Sequence, residues 1–247
     1  MIISRFNLQQ LVIVATRGPW GNLTAATFDF LEGSVGGIIA EPLNTWSNLA
    51  YILVGLILLY SHRNDRWTPV KYFAYASIAV GISSGLYHAS LCFVFQAMDL
   101  GSMYLISLLM LTLNLRRLGV IHRGEIYWTY WGLFVFSIAI LLVFQKFGRF
   151  MFNIQLFLAL TMEGYLYSRD KSYKLSPLLT AIGISMGALI FWILDWKEII
   201  SNPANHHFQG HAMWHVLTAI SFFYLYKFYD QFNLLSARRQ ILRFRRE

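Results

Sequence analysis

Two histidines open the last long apolar segment of the chain, in the run His211-Ala-Met-Trp-His215. Residues four apart on a helix project from the same face, so both imidazoles are expected in one site. A third histidine, His88, ends another apolar segment, and Asp99 follows at the start of the next one. Three neutral imidazoles are the ligand set of a catalytic zinc, with the fourth tetrahedral position left for water or substrate. The sequence therefore predicts a zinc site at His88, His211 and His215.

The composition indicates where these segments fold. Hydrophobic residues make up 57% of the 247 residues, whereas charged residues make up only 13%, which is typical of a polytopic membrane protein and excludes a soluble core. Seven apolar stretches have the roughly 20 residues that a hydrocarbon core of about 30 Å requires. We therefore predict an all-α membrane protein, a seven-transmembrane helix bundle. Its spans are Glu41–Ser61, Pro69–Leu91, Gln96–Leu115, Tyr127–Gln145, Phe150–Ser168, Ser176–Trp196 and Gly210–Phe228.

The basic residues predict the orientation of this bundle. With alternating spans, fifteen of them fall on one side and five on the other. The larger group is Arg63, Arg66, Lys71, Arg116, Arg117, Arg123, Arg169, Lys171, Lys174, Lys227, Arg238, Arg239, Arg243, Arg245 and Arg246, and the smaller is Arg5, Arg17, Lys146, Arg149 and Lys197. The positive-inside rule then makes the C-terminus cytoplasmic and the N-terminus extracytoplasmic.

Three regions follow from this orientation. Residues 1–40 form an extracytoplasmic N-terminal segment, residues 41–228 the seven-helix domain, and residues 229–247 a basic cytoplasmic tail. The net charge of +8 and this tail favour anionic lipid headgroups as partners, and no nucleic acid, because no nucleic-acid-binding module accompanies the charge. The single cysteine, Cys92, excludes an intramolecular disulfide.

The predicted topology places several polar residues at one depth. His88 and Asp195 end outward-running spans, and Asp99 and His211 begin inward-running ones. Ser84 precedes His88 by one helical turn and so shares its face. We expect a metal pocket toward the extracytoplasmic side. Taken singly, each group has a plainer interpretation: a lone histidine near a helix end is usually an interfacial hydrogen-bonding residue.

Other polar residues are not counted as ligands. Solvation explains His206 and His207 in the loop before the last span, and Asp195 and Glu163 are interpreted as buried acids that are neutral or paired with a hydroxyl.

Four blocks of sequence carry a resemblance to a known family. They are Glu41-Pro-Leu-Asn44-Thr45-Trp-Ser47-Asn48, Ser84-x-x-x-His88-Ala89 with Asp99 eleven residues on, Trp192-x-x-Asp195 and His211-Ala212-x-Trp214-His215. From about Asp29 to Phe222 the chain resembles an alkaline ceramidase of the CREST superfamily, which also contains the adiponectin receptors. The resemblance implies a seven-helix hydrolase with zinc held by the three histidines and with Ser84 and Asp99 as catalytic partners.

The resemblance also implies calcium. Alkaline ceramidases bind it before the first span through an Asp, a Trp carbonyl, a Glu, an Asn and a second Glu. The corresponding residues here are Asp29, Phe30, Glu32, Ser34 and Glu41, in a spacing about two residues shorter. Oxygen ligands suit calcium, although the serine oxygen is a poorer ligand than that of Asn. A solvated acidic turn is the alternative interpretation.

The expected function is zinc-dependent cleavage of ceramide to a sphingoid base and a fatty acid. Asp99 serves as general base and acid, and the Ser84 hydroxyl stabilises the oxyanion. Where the family commonly has Glu after this Asp, the chain has Leu100, which bears on substrate preference. The alternatives are hydrolysis of another lipid amide or ester, and a receptor-like protein with a structural metal.

Overall fold

Seven helices make up the fold of the computed structural model in the part of the chain that it describes, residues 18–61, 63 and 69–244. We number them α1 (Pro42–Ser61), α2 (Tyr72–Ser90), α3 (Phe93–Leu118), α4 (Ile126–Val143), α5 (Gly148–Arg169), α6 (Ser176–Trp196) and α7 (Gly210–Phe244). Within those residues there is no strand, only an isolated bridge between Ala25 and Cys92. The prediction of an all-helical protein with seven apolar helices is confirmed to this extent.

The bounds of the helices are close to the predicted spans, with differences at their ends. α3 begins three residues before the predicted Gln96, and α7 continues past the predicted end at Phe228. By length and composition, four segments of the described chain could cross a membrane: Pro42–Ser61, Phe93–Leu118, Arg123–Val143 and Ser176–Trp196. Met1–Arg17, Arg66 and Arg245–Glu247, which enter the predicted N-terminal segment, orientation and tail, lie outside the described residues.

Local sequence explains where several helices begin and end. Pro42 occupies the first turn of α1, where its missing N–H costs no hydrogen bond. Gly119 ends α3 in the left-handed conformation, with φ of 78°. Leu91 also takes a left-handed conformation, with φ of 52°, and this turn lets α3 begin two residues later. The end of α2 and the start of α3 therefore lie side by side.

The helices approach one another closely on the side that holds the site. A Cβ atom added to Gly81 of α2 would lie 2.9 Å from the backbone oxygen of Asn48 in α1. Small residues of this kind allow two membrane helices to pack backbone against backbone. α7 packs against α1, α2 and α6, so the helix that carries two histidines is held from several directions.

The opposite end of the bundle holds a buried ion pair. Arg117 of α3 makes a two-pronged contact with Glu163 of α5, whose carboxylate is 1% exposed. The Tyr173 hydroxyl donates to the same carboxylate at 2.6 Å, and the guanidinium lies 3.7 Å from the ring centroid of Phe232 in α7. This network ties α3, α5 and α7 together far from the histidines.

Candidate metal centre

The three predicted histidines come together in the interior. His88 lies in the last turn of α2, and His211 and His215 lie in the first two turns of α7. One ring nitrogen from each lies within 4.8 Å of the others, and all three side chains are buried. The Nε2 atoms of His88 and His211 are 3.3 Å apart. The helix ends thus place three imidazoles around one point, and they could hold a metal ion.

Glu41 orients the His88 ring. Its carboxylate lies 2.6 Å from His88 Nδ1, and both side chains are 1% exposed. A carboxylate can only accept this hydrogen bond, so His88 carries its hydrogen on Nδ1 and presents the lone pair of Nε2 to the other histidines. The backbone holds the same two residues together, because the Glu41 N–H donates to the His88 carbonyl at 3.1 Å.

Ser47 orients His215 in a similar way. The Ser47 hydroxyl donates to the Asn44 carbonyl at 2.9 Å and lies 2.7 Å from His215 Nδ1. Since the hydroxyl hydrogen is already used, its oxygen is the acceptor and His215 Nδ1 the donor. His215 therefore also has its Nε2 lone pair free for a metal.

His211 has a different support. Its Nδ1 is buried and has no hydrogen-bond partner. Instead, the ring stacks on Phe30, with centroids 3.6 Å apart and planes 18° apart. Phe30 belongs to residues 18–40, which we call the N-terminal strap because they run across this end of the bundle.

The donor set fits zinc. The cluster contains three imidazoles and no carboxylate, and hydrogen bonds to Nδ1 leave the Nε2 lone pairs of His88 and His215 free. Imidazole nitrogen suits zinc, and an outer carboxylate on a ligating histidine is a frequent second partner in zinc sites. Three protein ligands are also the number found in catalytic zinc sites, which keep one position open.

Ser84 and Asp99 lie beside this cluster. Asp99 in α3 interacts with Ser84 of α2 through a side-chain hydrogen bond and with His88 through charge. Ser84 is 4% exposed and sits one turn before His88. Asp99 also interacts through charge with Tyr51 of α1, whose hydroxyl hydrogen-bonds to Thr218, about one turn after His215. The residues predicted to take part in catalysis are thus brought together with the histidines.

The residues predicted to bind calcium lie in the strap and at the start of α1, but several have other partners. The Glu32 carboxylate accepts the backbone N–H groups of Leu43 and Asn44 at 2.9 and 2.8 Å and thereby caps α1. Glu41 is shared between His88 and the Asn44 amide.

The remaining members of that set are less enclosed. The Ser34 hydroxyl accepts the Gly36 N–H at 3.3 Å, and Asp29 is exposed. The Phe30 ring is the part of that residue that contacts the histidines.

The other polar residues have structural partners. Asp195 accepts the Gly210 N–H at 2.6 Å at the start of α7 and also bonds to the Ser201 hydroxyl. Glu163 is paired with a hydroxyl, as predicted, and with Arg117 as well. His206, expected to be solvated, is half-buried and lies 3.0 Å from Glu32. His206 and His207 are outside the three-histidine cluster.

Sequence reasoning missed the partners of the histidines. Glu41 was assigned to calcium, Ser47 had no role, and only the carbonyl of Phe30 was considered. A signal for Glu41 and Ser47 was present, because Glu41 directly precedes α1 and Ser47 lies in its first turns, and the start of α1 lies at the end of the bundle that holds His88. No pattern in the sequence pointed to the ring of Phe30.

In the part of the chain that the structure describes, the fold and the site together define an all-helical protein with four apolar segments of membrane-spanning length and a buried group of three histidines that could hold a metal ion. A model of the family described as Ceramidase matches residues 25–246, which is most of the chain. A comparison with curated proteins gives no significant match. The chain therefore belongs to the ceramidase family, as the resemblance predicted, and membership implies hydrolase activity and a lipid substrate.

Proposed function

We propose that the protein is a zinc-dependent intramembrane hydrolase that cleaves the amide bond of ceramide. The observation that carries the proposal is the convergence of His88, His211 and His215 beside Ser84 and Asp99 in a member of the ceramidase family. Zinc, when bound, supplies Lewis acidity, which polarises a carbonyl group and makes water a stronger acid.

The side chains beside the histidines supply the rest of the chemistry. Asp99 takes the proton of the attacking water and returns it to the leaving amine. Ser84 donates a hydrogen bond to the oxygen on which negative charge develops. Ser84 is not the nucleophile, because the histidines near it are committed to metal and none remains as its base. The products are a sphingoid base and a fatty acid.

The surroundings of the site support a substrate that comes from the bilayer. His88, His211 and His215 all lie near the ends of apolar helices. Many large apolar side chains on the described helices are exposed on the outer surface of the bundle. We propose that all seven helices cross the membrane with the N-terminus extracytoplasmic and the C-terminus cytoplasmic. Residues 1–40, 41–228 and 229–247 then form the N-terminal segment, the hydrolase domain and the basic tail.

Calcium belongs to the proposal as a second cation. The residues for it are Asp29, the Phe30 carbonyl, Glu32, Ser34 and Glu41. Oxygen donors of this kind suit calcium, and an ion held by them would join the strap to the start of α1.

A comparison of two variants tests the catalytic roles. Losing an oxyanion donor costs about 10²–10³ in turnover, and losing a general base costs about 10²–10⁴. We expect Ser84→Ala and Asp99→Asn to keep their zinc and to hydrolyse ceramide more slowly by these factors. The matched controls are Ser137→Ala, which removes a buried hydroxyl of α4 that accepts from Gln155, and Asp170→Asn, at the end of α5; both should keep parent-like zinc content and turnover.

The substrate is tested with the same preparations. Release of fatty acid from ceramide, from other acyl amides and from acyl esters is measured for the parent protein in detergent. Faster release from another lipid than from ceramide would make that lipid the proposed substrate. The comparison is included because Leu100 follows Asp99 at the position where the family commonly has Glu. Parent-like turnover in Asp99→Asn would remove the base assignment, and zinc binding without turnover on any lipid would favour the receptor-like alternative.

A further inference from the structure

His211 differs from the other two histidines in how its ring is held. His88 and His215 each have an oxygen partner on Nδ1, Glu41 and Ser47 respectively. The Nδ1 atom of His211 is buried without a hydrogen-bond partner. A metal-binding histidine ordinarily has its second ring nitrogen fixed by such a partner, which sets the orientation of the ring. The contact that the structure shows for the His211 ring is of another kind.

The Phe30 ring is the group in position to orient His211. It lies nearly parallel to the His211 ring, with centroids 3.6 Å apart, and it also lies 4.9 Å from the centroid of His88. A parallel stack fixes the plane of an imidazole and leaves it free only to slide or spin within that plane. The position of His211 on α7 limits these remaining movements.

The strap holds Phe30 in place from both sides. Two residues before it, the Phe28 carbonyl accepts a hydrogen bond from the Tyr87 hydroxyl. Two residues after it, Glu32 caps α1 and contacts His206. Phe30 is thus bracketed by anchors on α2 and α1, which hold its backbone beside His211.

We propose that Phe30 is a positioning residue for the metal, acting through its ring on His211. The proposal rests on the metal site of the proposed function and extends it to the strap. A metal draws electron density from the imidazole, and the electron-rich face of Phe30 attracts an electron-poor ring more strongly. The stack therefore favours the metal-bound state over the metal-free state. Loss of the ring should lower metal affinity as well as stability.

Zinc affinity measured by competition with a chromophoric chelator tests this, with purified full-length variants in detergent. Partners of metal ligands typically change affinity by about 10–100-fold when they are removed. We expect Phe30→Leu, which keeps an apolar side chain but has no ring, to bind zinc about tenfold more weakly. Phe30→Tyr, which keeps the ring, should bind within about twofold of the parent. The visible spectrum of the cobalt-substituted protein should change in Phe30→Leu and not in Phe30→Tyr.

Two further measurements separate positioning from general packing. Phe95→Leu removes a ring that packs on Trp20 of the same strap, with centroids 5.6 Å apart, and should leave zinc affinity and the cobalt spectrum unchanged. Thermal unfolding of the metal-free variants shows how much stability each one loses. Parent-like zinc affinity and cobalt spectrum in Phe30→Leu would overturn the inference and leave the proposed function intact. A parent protein that binds neither zinc nor cobalt would overturn both.

Discussion

The carboxylate of Glu41 offers a sharp test of the metal centre, because it contacts a ligand and not the metal itself in this interpretation. It accepts hydrogen bonds from His88 Nδ1 at 2.6 Å and from the Asn44 amide at 3.0 Å, in a place that is 1% exposed. Glu41→Gln keeps the size of the side chain and removes the charge. Both hydrogen bonds reach the same oxygen, Oε2, so an amide oxygen in its place can still accept both of them, and an NH₂ group replaces the other carboxylate oxygen.

The size of the effect follows from these contacts. Losing the carboxylate partner of a ligating histidine lowers metal affinity by about 10–100-fold, or about 1.4–2.7 kcal/mol. Because both hydrogen bonds can be kept, the loss comes from the charge, since a charged acceptor makes a stronger hydrogen bond than a neutral amide oxygen. We therefore expect Glu41→Gln to bind zinc about 10–100-fold more weakly than the parent.

The assay is zinc competition with a chelator in the absence of calcium, combined with thermal unfolding of the metal-free protein. Glu125→Gln is the control, because Glu125 is exposed and caps only the short turn before α4. Omitting calcium separates the two roles proposed for Glu41. Zinc affinity within about twofold of the parent would refute the assignment of Glu41 as the partner of His88. If Glu41→Gln loses its calcium response and keeps its zinc affinity, Glu41 is a calcium ligand and not the partner of His88.

The buried ion pair and the calcium site give two more predictions. Glu163→Ala leaves the Arg117 guanidinium without its carboxylate partner and should destabilise the protein by about 3–5 kcal/mol in thermal unfolding. Its zinc content should stay at the parent level. A change in stability below about 1 kcal/mol would contradict this prediction. Calcium should raise the melting temperature of the parent and not of Asp29→Asn. Asp29 is the residue to replace, because Glu32 caps α1 and its loss would destabilise the protein whether or not calcium binds. A full calcium response in Asp29→Asn would favour the solvated turn.

The sequence predicted which three histidines come together better than it predicted the groups that orient them. Pairs such as His211 and His215 are visible because a helix repeats every 3.6 residues, and alternating helices bring His88 to the same end of the bundle. The lengths of the apolar segments predicted the helices, because a run of apolar residues can be read from the sequence without knowing how the helices pack.

The supports depend on features that a sequence pattern does not contain. Ser47 lies 168 residues from His215 in sequence, and its contact depends on how α1 and α7 are rotated about their axes. A helix that is apolar on almost all sides, as α4 is, has no polar face whose position would indicate how the helix is rotated about its axis. The course of the strap is irregular, and only the fold brings the Phe30 ring onto His211. Helix periodicity and the alternation of the helices therefore found the three histidines that come together, and tertiary packing decided what orients their rings.

The most direct test of the central claim is zinc content measured together with ceramide hydrolysis in the parent and in His215→Ala. Three histidines with one open position hold a single zinc, so the parent should contain about one zinc per chain and release fatty acid from ceramide. Because His215 supplies one of three ligands, His215→Ala should lose most of its zinc and all of its hydrolysis while remaining folded. Full zinc occupancy and parent-like hydrolysis in His215→Ala would contradict the account.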